Sequence, residues 1–230
     1  MMEIYSVTDI SKREENQDNY WCGILDVEGS EVGVLCVCDG MGGLDFGEKA
    51  SRIVVEKIRN HVVCTGSLEG LGDVIVEANN TIKEVIASKR SGTTCTVLMC
   101  RDGRYLVYNI GDSRCYHWYT EKGKPYVYQI TEDHTVLQRY KKEGKEITPQ
   151  IASKYKNVLT RCIGVDKALY DCFEGEYSEG DSFLVCSDGF WHTLSEEDFF
   201  NGNIYNLREM IRKCQRLGEV DNITACLLKV

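Results

Sequence analysis

Apolar positions recur along this chain at two periods. Short runs rich in β-branched, aromatic and small residues predict strands at Glu3 to Val7, Tyr20 to Leu25, Glu31 to Cys38, Thr93 to Cys100, Tyr105 to Ile110, Arg114 to Tyr119, Tyr126 to Ile130, Cys172 to Tyr177, Ser182 to Cys186 and Ile223 to Val230. Turn signals such as RDGR, EKGKP and SEGDS separate them, so the closely spaced runs should pair as antiparallel hairpins. A helical period replaces this rhythm from Phe46, through Ala50, Ile53, Val54, Ile58 and Val62. It returns from Leu68, through Leu71, Ile75, Ala78, Ile82, Val85 and Ile86. A third helix is predicted over Ile204 to Leu217, with Ile204, Leu207, Ile211 and Cys214 on one face. Strands and helices come in blocks, which favours an α+β fold of layered sheets over an alternating parallel one. Between Asp133 and Ile163 the pattern loosens into a short helix and a polar stretch, either a flap beside a site or a plain surface excursion.

Length and composition narrow this picture. With 230 residues, 43% hydrophobic and 27% charged, the chain is expected to form one domain spanning 1–230. A net charge of −9 argues against nucleic-acid binding, which wants a basic face. No window has the apolar length of a membrane span and the N-terminus lacks a signal-peptide core, so a cytoplasmic location is expected. The twelve cysteines include no C-x-x-C, which argues against a structural zinc site, and those within apolar runs (Cys36, Cys38, Cys95, Cys186, Cys226) read as small hydrophobes in a reducing compartment. The sequons at Asn79 and Asn222 are then chance matches.

The chemistry lies in a repeated carboxylate. Asp39, Asp112 and Asp188 each close a strongly apolar run, Asp221 opens one and Asp18 precedes another. Neighbouring strands are about 4.8 Å apart, so acids at one end of a sheet converge. Two such charges about 4 Å apart repel by roughly 4 kcal/mol at an effective dielectric near 20. A divalent cation removes that conflict, and Asp oxygens and backbone carbonyls, without clustered His or Cys, point to Mg²⁺ or Mn²⁺. Asp-Gly and Asp-Ser steps also make ordinary turns, but three at the ends of apolar strands point to more than turns.

The ordered motifs REENQD, DGMGG, SGTTCTVLMC, IGDSR, EDHT, VLTRCIG, CSDGFW and DNIT resemble the metal-dependent Ser/Thr protein phosphatases of type 2C, in their minimal bacterial form. The resemblance runs from Ser6 to Val230. It implies two packed antiparallel β-sheets flanked by helices on both sides, a four-layer αββα sandwich, with two Mn²⁺ or Mg²⁺ ions in a cleft at one end. By position, Asp39 resembles the carboxylate bridging the two ions. Asp188 and Asp221 resemble further ligands of one, and the Gly40 carbonyl a ligand of the other. Asp18 is similar to the residue holding ion-bound waters. Asp112 resembles a ligand of a third, weaker ion shared with Asp188, and Arg13 matches the arginine that grips the substrate phosphate. The implied activity is hydrolysis of phosphoserine and phosphothreonine without a phosphoenzyme. The implied partners are phosphorylated proteins, substrates of a Ser/Thr kinase, for a monomeric chain that binds neither nucleic acid nor membrane.

Some positions depart from the family pattern. Gln17 stands where many members have a glutamate, Met41 fills the slot of a histidine proposed as proton donor, and Ile10 or Ser11 replaces a glycine upstream of Arg13. With Met41 unable to donate, protonation of the leaving alkoxide is expected from water, with His134 the second choice. His192 is expected to be a surface residue. Three rival readings remain at this level. Cys95 and Arg101 satisfy the C-x₅-R spacing of cysteine-dependent phosphatases, though TVLMC between them has no glycine to cradle a phosphate. A catalytically weak pseudophosphatase of the same fold is the second, and a phosphatase acting on small molecules, with specificity set by the flap and surface, is the third.

Overall fold

Alternation on the central strands decides the layering. The computed structural model describes residues 1–41, 46–86, 91–165, 167–201 and 206–230. Strand β3 (Ser30–Met41) sends Val34, Cys36 and Cys38 to one face and Leu35 and Val37 to the other, and all five are fully buried. Strand β11 (Ile223–Lys229) likewise divides Ile223, Ala225 and Leu227 from Cys226 and Leu228. Strands buried on both faces are the inner leaves of a layered core.

Around β3 lie β2 (Asp18–Val27), β5 (Cys95–Arg101), β6 (Arg104–Ile110) and β9 (Asp171–Glu176), in the order β2-β3-β5-β6-β9, with the short β4 (Gly92–Thr93) also paired to β3. Around β11 lie β1 (Glu3–Asp9), β10 (Ser182–Cys186), β7 (Arg114–Glu121) and β8 (Lys124–Gln129), in the order β1-β11-β10-β7-β8. The strand pairs are antiparallel. Between the sheets, Leu35, Val37, Leu98 and Val107 meet Phe183, Val185, Cys226 and Leu228. Each such side chain contributes about 1.5–3 kcal/mol through removal from water.

Helices cover both outer faces. Helix α1 (Phe46–Thr65) lays Ala50, Val54, Ile58 and Val62 on the β3 side, beside α2 (Leu71–Val85) with Leu71, Ile75, Ala78 and Ile82. The predicted start at Leu68 is three residues early. Gly70 is left-handed (φ 78°), so Leu68 is buried in the preceding turn. On the other face, α7 (Leu207–Arg216) packs Leu207, Met210, Ile211 and Cys214 against Ile223, Ala225 and Leu227. Its predicted first residue, Ile204, lies outside the described residues. The result is the expected α+β, four-layer αββα sandwich.

The irregular 133–163 region holds α3 (Val136–Lys142) and α4 (Pro149–Tyr155), capped by the Thr135 and Thr148 hydroxyls, with Pro149 at the first helical turn. The short helices α5 (Asp188–Trp191) and α6 (Glu196–Asn201) escape a periodicity argument because neither completes two turns.

Candidate active site

Strand ends from both sheets meet at one end of the sandwich. The register of β2 on β3 sets Asp18 directly opposite Asp39. Asp188 follows β10 as the first residue of α5, Asp112 lies just past β6, and Asp221 just before β11. Asp39, Asp112, Asp188, Asp221, Gly40 and Arg13 line one cleft of about 970 Å³. Gly42 and Gly43 of the DGMGG motif lie outside the described residues.

The electrostatics are strained. Burial, followed by the charges of Asp18, Asp188, Asp112 and Asp221, pushes the Asp39 pKa well above the carboxylate range. Burial with Asp188 and Asp133 nearby does the same to Asp112. Asp18 is pushed up to about 7 by burial, against hydrogen bonds from Thr224 and Ser187, and Asp188 to about 6 by burial and Asp221. The Ser187 hydroxyl donates to Asp18 Oδ2 at 2.8 Å. The Oδ1 atoms of Asp18 and Asp188 are buried with no hydrogen-bond partner.

Those orphaned oxygens test the fit of a cation. A buried carboxylate oxygen without a donor is costly, and a positive ion is what this oxygen-only set lacks. No three of these carboxylates bring an oxygen each within 4.8 Å of one another. That spacing does not suit an all-protein cage. It suits ions such as Mg²⁺, which keep several waters and take one or two carboxylates each. The set therefore fits hard divalent cations.

Arg13 forks onto Asp221, Nε to Oδ1 at 2.8 Å and Nη2 to Oδ2 at 2.7 Å, and is half exposed. Its loop is pinned by Asn222, whose Oδ1 accepts the Gln17 N–H at 2.9 Å while its Nδ2 donates to the carbonyls of Ile10 and Glu15 at 3.0 Å. The sequence reading saw Asn222 only as part of a motif and as a sequon. Its buried amide and the buried Asn79, which accepts the Gly164 N–H, fill structural roles that leave no room for a glycan. Lys12, Glu14 and Glu15 also line the cleft and were not singled out.

The glycines after the aspartates act differently from expectation. A Cβ on Gly40 would collide with the carbonyls of Gln17 and Gly47, and one on Gly189 with the carbonyl of Asn222. Close backbone packing around the site requires them.

His134 does not face the cleft. It is buried, Nδ1 accepts the Gly111 N–H at 3.1 Å, and Nε2 lies 3.0 Å from Asp171 Oδ2. Nε2 also lies 3.1 Å from Arg161 Nη1, so both ring nitrogens are engaged away from the cleft and His134 presents no proton to it. It anchors Gly111 beside Asp112. Trp191 Nε1 donates to the Asp112 carbonyl at 3.0 Å, and the Arg114 guanidinium stacks 3.2 Å from the Trp191 ring centre while forking onto Asp133. His192 is half-buried, 3.9 Å from Glu219, rather than a free surface residue. Met41 lines the cleft, as do Asn157 and Leu159 from the 133–163 region, which makes that region a wall of the site. Cys95 and Arg101 sit at opposite ends of β5, about 20 Å apart, so they cannot share a phosphate.

Comparison with known proteins agrees with this geometry. The family profile described as Protein phosphatase 2C matches residues 8–222. The serine/threonine phosphatase stp of Listeria innocua is 28% identical over 238 residues, covering 94% of this chain and 91% of that protein. The S. agalactiae serine/threonine phosphatase structure superposes with a TM-score of 0.84 at 26% identity, covering 100% of both chains. The catalytic domain of the serine/threonine protein phosphatase PstP, solved with two manganese ions, gives 0.81 at 26% identity, covering 99% of this chain and 97% of that one. A carboxylate-lined cleft at the strand ends of an αββα sandwich, and a profile match over nearly its whole length, establish that this chain belongs to the protein phosphatase 2C family.

Proposed function

We propose that residues 1–230 form one catalytic domain that hydrolyses phosphoserine and phosphothreonine in proteins, the products of a Ser/Thr kinase. The observation carrying this reading is the gathering of Asp39, Asp112, Asp188 and Asp221 with Arg13 in one cleft, with the buried Asp18 paired opposite Asp39 behind it. Asp39 would be shared by two Mn²⁺ or Mg²⁺ ions, with Asp188 and Asp221 holding one and the Gly40 carbonyl the other. Asp112 and Asp188 would offer a third, weaker position. Such ions neutralise phosphate charge and lower the pKa of water toward neutrality.

The chain's own residues do the rest. Asp18, held by the Ser187 hydroxyl, would orient waters beside Asp39. Arg13, released from Asp221, presents a planar fork to two phosphate oxygens and fixes the direction of approach. With Met41 and His134 both unable to donate a proton into the cleft, the leaving alkoxide takes its proton from water. Asn157, Leu159, Lys12 and Glu14 form the walls a phosphopeptide would meet.

Twelve free cysteines suit a reducing compartment, which supports a cytoplasmic location. Among the described residues no helix is long and apolar enough to cross a membrane. The chain is read as acting as a monomer. The deciding experiment is release of phosphate from a phosphothreonine peptide against Mn²⁺ concentration. Turnover that saturates with Mn²⁺, stops with chelator and disappears in Asp188→Asn supports the reading, and chelator-insensitive turnover or none overturns it.

A further inference from the structure

On the opposite face of the strand that carries Asp39, three thiols meet. Cys36 and Cys38 on β3 and Cys95 on β5 each place a sulfur within 4.8 Å of the other two. The pairing explains why. Val37 faces Thr96 and Cys36 faces Val97, so one step further along the ladder Cys95 lies opposite Cys38 and diagonal to Cys36. Alternation turns all three toward α1, where they are 0%, 0% and 1% exposed. The sequence reading treated them as small hydrophobes, which accounts for their burial. It does not account for three sulfurs from two strands converging on one point.

We propose that Cys36, Cys38 and Cys95 form a three-thiolate site for a single thiophilic d¹⁰ cation, with copper(I) the best fit. Three sulfurs in a plane at about 2.3 Å from a central ion stand about 4 Å apart, so closure from the observed spacing needs shifts below an ångström. Among the described residues no fourth ligating side chain joins the group, which disfavours zinc with its tetrahedral demand. Sulfur donors exclude the hard ions suited to the carboxylate cleft. Binding replaces thiol protons, which pass to solvent, and no electron moves.

The site is coupled to the cleft through the backbone. Cys38 directly precedes Asp39, and Cys95 directly follows Thr94, whose Oγ1 accepts the Asp39 N–H at 2.9 Å. Drawing Cys38 and Cys95 together moves both ends of that contact, so copper loading lowers phosphatase turnover through the position of Asp39. The binding readout stands apart from the activity assigned above.

The test uses the full chain with the more accessible thiols Cys22, Cys64, Cys162 and Cys172 replaced by serine, titrated anaerobically with copper(I) against a chromophoric chelator. One equivalent is expected, with three sulfurs in the absorption fine structure. Cys36→Ala, Cys38→Ala and Cys95→Ala should each weaken binding by more than the ~10–100-fold that loss of a supporting contact costs. Cys214→Ala, a buried thiol elsewhere, should leave it unchanged. Thermal melting checks each variant's fold, with Cys95→Ser standing in if Cys95→Ala fails to fold. Failure of the parent to bind, a two-sulfur shell, or unchanged affinity in the three variants overturns the proposal.

Discussion

Asp18 and Asp39 face each other across the β2–β3 ladder, a like-charge pair at the position where a sheet ordinarily places complementary side chains. This pairing opposes folding unless a cation or a proton intervenes, and it ties stability to both.

The first prediction concerns ion removal. Burial pushes the Asp18 pKa up to about 7 and the Asp188 pKa up to about 6, both from 3.8. Between pH ~4 and ~7 the ion-free folded chain thus binds more protons than the unfolded chain, and its stability falls as pH rises through that window. In chelator, Asp39→Asn should melt above wild type at pH 8 by a few kcal/mol, the scale of one like-charge contact, with the gap closing toward pH 5. In Mn²⁺ the order should reverse. Thermal melts at both pH values, with and without chelator, read this out.

Arg13 carries the second. It is half exposed and, among the described residues, its one ion pair is with Asp221, so Arg13→Ala should change stability by no more than about 1 kcal/mol. Catalysis should suffer far more, since loss of one donor aimed at developing charge costs about 10²–10³-fold. Arg13→Lys keeps the charge but not the fork and should recover little. Steady-state kinetics on a phosphothreonine peptide, beside a denaturant melt, checks both.

Most of the fold was legible in the sequence because it is written in short-range periods. Alternation located the strands, and i, i+4 apolar residues located α1, α2 and α7. What stayed hidden depends on partners distant in sequence or on elements too short for a period. The α5 helix after Ser187 falls in the second group. His134 and Asn222 fall in the first. Both were visible as polar residues in motifs, but the Gly111 N–H that His134 accepts and the carbonyls of Ile10 and Glu15 that Asn222 satisfies are set only by tertiary packing. The Asp cluster was inferred because several strands ended alike. The convergence of Cys36, Cys38 and Cys95 was not, because it needs the register of β3 on β5.

His134 yields the third prediction. Replacing it with alanine leaves the Gly111 N–H without its acceptor, a loss of about 1–3 kcal/mol for the buried group, while Asp171 keeps its bond from Arg161. The pH profile of turnover should keep its shape, with kcat lowered only modestly through displacement of Asp112. Disappearance of one limb of that profile would restore His134 as an acid. Urea unfolding and a pH–rate series measure the two effects.

Asn222 gives the last. Its side chain makes three hydrogen bonds from the start of β11 to the loop carrying Arg13, and it is 5% exposed. Asn222→Ala therefore removes donors and acceptor together, leaving the Gln17 N–H and the carbonyls of Ile10 and Glu15 to find water. At about 1 kcal/mol per net hydrogen bond, the expected cost is about 3 kcal/mol. Because Asp221 is adjacent, the variant should also bind Mn²⁺ more weakly. Release of the loop should raise KM for the phosphopeptide more than it lowers kcat, since Arg13 would be mispositioned before substrate arrives yet can still reach it. Asn222→Asp keeps the acceptor for Gln17 but removes both donors and adds a charge beside Asp221. It should be worse than alanine for stability in chelator and recover part of the deficit in Mn²⁺. Equal melting of the two variants in chelator would show that the loop is held by something other than this amide.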